Sequence, residues 1–151
     1  MIPSDFIAVH RLVAARFHEC LMELFSTDEA DKWLLQLRHE RAGNLGFLLT
    51  VDNLAAFCVA MQQCIDVAIS HSDYPNAEMM INTVALNLET NKPTRGGISI
   101  SSIWADDPNV QFNFYLDQND SRSCVTLIYF LEDAMRLHDR FAIAYNKREC
   151  F

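Results

Sequence analysis

Residues 124–145, CVTLIYFLEDAMRLHDRFAIAY, are the most apolar continuous stretch of the chain, and any fold must cover them. At helical spacing Cys124, Leu127, Ile128, Leu131, Met135, His138, Phe141, Ala142 and Tyr145 share one broad face. Charge is confined to Glu132, Asp133, Arg136, Asp139 and Arg140 on the other side. The pattern predicts a central helix over about 121–147, capped by Asp120 or Ser121. Val125, Thr126, Ile128, Tyr129 and Phe130 also suit a strand, but the unbroken helical spacing that follows decides for helix.

The same period organises the first half. Phe6, Val9, Val13, Phe17, Cys20 and Leu24 recur every three or four residues, predicting a helix over 4–25. Ser26-Thr27-Asp28-Glu29 reads as a capping box opening a second helix over 28–42, with Trp33, Leu34 and Leu37 inward and Gly43 at its end. These two helices are expected to pair antiparallel. The run GNLGFLLTV at 43–51 fits an edge strand or a helix entry equally. A third helix is expected over 52–70, capped by Thr50 or Asp52, with Leu54, Phe57, Cys58, Met61, Ile65, Ala68 and Ile69 inward.

Between about 79 and 117 the period changes to two. Val84, Leu86 and Leu88 alternate with polar neighbours, then Ile98 to Trp104, then Val110, Phe112, Phe114 and Leu116 after a turn at Asp107-Pro108-Asn109. The fold class expected is α+β: a two-layer domain in which a three-stranded antiparallel meander carries all four helices on one face. The whole chain, 1–151, reads as a single domain, without internal repeat or linker.

Composition narrows the function class. A net charge of −8 argues against nucleic acid, because affinity there comes from neutralising phosphates. It suits a partner protein with a basic surface. The five cysteines are scattered, odd in number and without a CxxC, the usage of reduced thiols in a cytoplasmic protein. No secretory leader or spanning segment is read, so no membrane association is expected.

Catalytic motifs are missing from the sequence: there is no phosphate-binding glycine loop, GxSxG elbow or HExxH pair. His18-Glu19-Cys20 collects imidazole, carboxylate and thiol, but successive helical residues diverge by about 100°. His71-Ser72-Asp73 lies in a loop with no evident nucleophile, and Cys58 and Cys64 are too far round one helix to share a metal unaided. No cofactor or metal is expected.

The outer face of the meander is more suggestive. Thr83, Asn87, Ser99, Ser101, Ile103, Gln111, Asn113 and Tyr115 are assigned to it, with Asp106 and Asp107 on its rim. A merely solvated sheet usually carries Lys, Glu and Arg. Neutral hydrogen-bonding groups are cheap to desolvate, which suits a protein contact. The expectation is therefore a small, acidic, non-enzymatic protein-binding module, an inhibitor or immunity-type antagonist that masks a basic surface of another protein. The alternatives are a chaperone of the secretion type, a homodimer holding an extended partner segment, and an enzyme with an unrecognised His71/Asp73 or cysteine site.

Overall fold

The computed structural model describes residues 8–40, 43–70, 78–87, 92–103, 108–118 and 121–146. Four strands, Arg11–Phe17 (β1), Cys20–Ser26 (β2), Lys32–His39 (β3) and Gly43–Thr50 (β4), lead directly into helix Val51–Ser70 (α1). Four more, Glu78–Asn87 (β5), Lys92–Ile103 (β6), Asn109–Gln118 (β7) and Ser121–Phe130 (β8), lead directly into helix Leu131–Asn146 (α2). All eight pair antiparallel in chain order. The sheet curls into a half-barrel, and α2 crosses its open side to pack on β1 as well as β7 and β8. The order ββββα thus occurs twice, although no sequence repeat announces it.

The helices expected over 4–25 and 28–42 are hairpins instead. Cys20, Met22 and Leu24 face the core, but Leu21 and Phe25 are also apolar, so strict alternation is lost and a helical subset emerges by coincidence. The turn that breaks the run is His18-Glu19, with neither Gly nor Pro; His18 takes the left-handed conformation at φ 50°. The apparent capping box builds the β2–β3 turn. The Thr27 hydroxyl accepts the Glu29 N–H at 3.2 Å and donates to the Lys32 carbonyl at 2.9 Å. Residues 43–50 are strand β4.

The predicted helix over 121–147 is half right. Its first ten residues are β8, with Leu127 and Tyr129 buried and Phe130 exposed; the helix begins at Leu131, where Glu132 and Asp133 occupy the first turn. Helix α1 forms where expected. The Thr50 N–H donates to Asn53 Oδ1 and the Asn53 N–H donates to Thr50 Oγ1, both at 3.2 Å, a reciprocal cap. The strands at 79–117 also form, but as part of a larger sheet rather than a three-stranded meander.

The inner face and both helices enclose one core. Phe47, Phe57, Phe112, Phe114 and Phe141 are fully buried, with Phe57 packed between Phe112 and Phe141 at ring distances of 5.7 and 4.8 Å. The outer face of the first half has a second cluster, Leu34 and Leu86 with Phe25 and Leu48 against them. Beside it the buried Glu23 carboxylate accepts from Arg11 at 3.2 Å and Arg38 at 2.7 Å, tying β1, β2 and β3 together. A buried carboxylate requires such partners.

Candidate functional site

Strand register decides which expected site residues share a surface. On the outer face β6, β7 and β8 align in successive rungs: Gly97–Tyr115–Cys124, Ser99–Asn113–Thr126, Ser101–Gln111–Ile128 and Ile103–Asn109–Phe130. Strand β5 adds Asn82 beside Gly97 and Met80 beside Ser99. The structure therefore brings Ser99, Ser101, Gln111, Asn113 and Tyr115 onto one face. Across β6–β8 the four rungs carry no Asp, Glu, Lys or Arg, while on β5 Glu78 stands beside Ser101; on β6–β8 charge resumes at the next rung, Arg95–Asp117–Arg122.

Two expected positions need correction or qualification. Thr83 pairs with Gly96 on the inner side, and its hydroxyl donates to the Leu48 carbonyl. The β5 alternation is inverted relative to the expectation: Ile81 and Ala85 face the core, while Leu86 joins the outer cluster and Val84 is exposed. Val84 and Leu86 resembled a core-facing pair because the outer face here is itself apolar. Asn87 pairs with Leu45 on one side and Lys92 on the other. Asp106, Asp107, His71, Asp73 and Cys150 lie outside the described residues.

The geometry of the neutral face favours contact over solvation. Met80 and Tyr115 converge over Gly97: a β-carbon there would lie 3.2 Å from the Met80 sulfur and 3.9 Å from the Tyr115 ring. The Thr126 hydroxyl donates to Asn113 Oδ1 at 2.7 Å, linking β7 and β8 across this face. Met80 is 44% exposed and Phe130 58%, so apolar surface flanks the polar centre. With strands ~4.8 Å apart and a rise of ~3.3 Å per residue, four rungs on three strands span roughly 20 by 10 Å. That is about a quarter of the ~800 Å² per partner in a standard interface, enough for its centre but not its rim.

A second site takes in His18-Glu19-Cys20, set aside in the sequence on a helical reading that the β1–β2 hairpin replaces, together with residues the sequence did not connect to it. The end of the β1–β2 hairpin, near α2 and β8, gathers Arg16, His18, Cys20, Arg38, His39 and Tyr129 around three adjoining clefts. Burial pushes the Cys20 thiol up to about 11, partly opposed by Arg16, which makes it a poor nucleophile. Burial does the same to Cys58 and Cys64, each pushed up to about 11. Among the described residues no group of three or more His, Cys, Asp or Glu is placed to hold a metal ion, and no helix is long and apolar enough to cross a membrane. No family model matches the chain, and no curated protein or solved structure does so.

Proposed function

We propose that the chain is a non-enzymatic protein-binding module that holds another protein on the outer face of β5–β8. The observation that carries this reading is the set of four uncharged rungs across β6–β8 on a chain whose net charge is −8. Neutral side chains cost little to desolvate, so Tyr115 and Met80 act as anchors at the centre. The surrounding acid steers a basic partner surface onto the face, which is how an inhibitor or antagonist reaches a functional site quickly. Steering and holding are thereby assigned to different residues.

The test is a kinetic binding assay with a partner captured by the wild-type chain. Tyr115→Ala should raise the dissociation rate by tenfold or more, and Gln111→Lys should weaken binding by placing charge in the neutral centre. Raised salt should slow association while leaving dissociation nearly unchanged. If both variants bind like wild type while a substitution on α1 abolishes binding, the face is not the interface. Light scattering on the purified chain separates a homodimer: a dimer that dissociates on Tyr115→Ala would make a second copy the occupant and favour the chaperone reading.

A further inference from the structure

Where the sheet curls far enough for α2 to reach β1, a cleft of about 260 Å³ opens between them. Its charged lining is Arg16 from β1 with Asp133, Arg136 and Arg140 from α2, and Tyr129 of β8 forms part of its wall. Arg136 is already engaged, at 3.1 Å from Glu132 and 3.6 Å from Asp133. Arg140 has no hydrogen bond or ion pair among the described residues. Among the described residues Arg16 reaches only the His18 carbonyl, at 3.5 Å. The chain has 20 acidic and 12 basic residues, yet two guanidinium groups here have no carboxylate partner among the described residues.

Tyr129 makes the arrangement more specific. It is only 6% exposed, and its hydroxyl has no hydrogen-bond partner among the described residues. A buried hydroxyl left unpaired is costly, and such groups in native proteins usually meet a ligand, an ion or water. Burial, with Cys20 and Asp133 nearby, raises its pKa further above the ordinary tyrosine range, so it remains a proton donor at any physiological pH. The apolar walls, Ala14, Ala15 and Leu137, weaken screening inside the cleft. The volume exceeds the ~30 Å³ that one water occupies in the liquid, leaving room for a small solute.

We propose that this cleft binds the oxyanion group of a small molecule, a phosphate monoester or a carboxylate, with Arg16 and Arg140 supplying charge and the Tyr129 hydroxyl donating a hydrogen bond. Guanidinium groups match both anions in geometry. Asp133 opposes a fully charged anion, and its pairing with Arg136 offsets that repulsion. The site is independent of the outer sheet face, so either can fail without the other.

The experiment titrates inorganic phosphate, and separately acetate, into the isotopically labelled full chain at constant ionic strength held with chloride, following backbone and arginine side-chain resonances. Saturable shifts centred on Arg16, Tyr129 and Arg140 are expected. Saturation by phosphate alone assigns a phosphate ligand, and saturation by acetate alone a carboxylate. Arg140→Met and Arg16→Met should each weaken binding about tenfold. Tyr129→Phe should weaken it several-fold while leaving the melting temperature of the ligand-free chain unchanged or higher, because the lost hydroxyl has no partner to lose. Shifts that never saturate, or that spread evenly over the basic residues, would overturn the proposal. So would variants that bind as wild type does.

Discussion

Adjacent glycines in β6 offer a sharp test of the sheet, because Gly96 faces the core and Gly97 the outer surface. Both backbones avoid the left-handed region, so available space decides what each position tolerates. A β-carbon on Gly96 would fall inside the van der Waals shell of the Ala85 β-carbon and lie 3.2 and 3.3 Å from two Phe47 ring atoms. Phe47 cannot yield easily, being fully buried with its ring centroid 5.4 Å from that of Phe114. Overpacking of this kind costs about 1–3 kcal/mol, and removing a strand glycine returns about 0.5–1 kcal/mol. Gly96→Ala should therefore destabilise by about 0.5–2 kcal/mol. A β-carbon on Gly97 meets the Met80 sulfur at 3.2 Å, the end of a flexible side chain on an exposed residue that can rotate away. Gly97→Ala should then be neutral or stabilising by up to about 1 kcal/mol. Urea unfolding at equilibrium measures both, the midpoint shifting without a change of slope. The pair Gly96→Ala/Ala85→Gly moves one methyl between strands at the same point in space and should recover most of the loss. Equal stabilities for the two single variants, or a double variant whose losses simply add, would refute the face assignment of β6 and with it the outer site.

Phe114→Ala should cost about 3–5 kcal/mol in the same assay, since the ring is fully buried; a loss below about 1 kcal/mol would contradict its place in the core. Cys20 and Cys64 should react slowly with a thiol probe under native conditions and quickly in urea, because burial suppresses the thiolate; rapid native labelling would show both sites open. Their folded pKa values, raised from 9.0 to about 11, also set a pH dependence. The folded state retains those protons longer than the unfolded chain, so this stability is fully present below pH 9 and lost as pH rises towards 11, measurable as a falling urea midpoint.

How far the sequence reveals the fold depends on what lies outside each strand. β7 was legible because Phe112 and Phe114 alternate with Gln111, Asn113 and Tyr115, polar groups on an outer face left uncovered by the helices. β2 and β3 were not, because their outer side carries Phe25 and Leu34 in a second apolar cluster, with Leu21 also apolar, and period two disappears when both faces are apolar. Punctuation failed in the same places. The β1–β2 turn uses His18 where glycine would have flagged it, and β8 passes into α2 without an intervening loop. Helix α1 was legible because its cap, Thr50 with Asn53, lies beside a clean 3.6-residue stripe.

The candidate sites divide by the same logic. The neutral outer face rests on two strands whose pattern was read correctly, so five of its residues were found, whereas Thr83 and Asn87, on the inverted strand β5, fall in the register of the inner face. The cleft between β1 and α2 could not be read at all, because Arg16 and Arg140 meet only when the sheet curls. The duplicated ββββα order sharpens the reading of the face. Both halves bury their inner residues against a helix, so folding alone asks similar things of their outer surfaces. Yet the first half places Arg11 and Arg38 around a buried carboxylate, whereas β6–β8 of the second keep four consecutive rungs free of charge. Solvation would favour charge on both. The asymmetry is therefore a cost that folding does not require, and the proposed binding face rests on it.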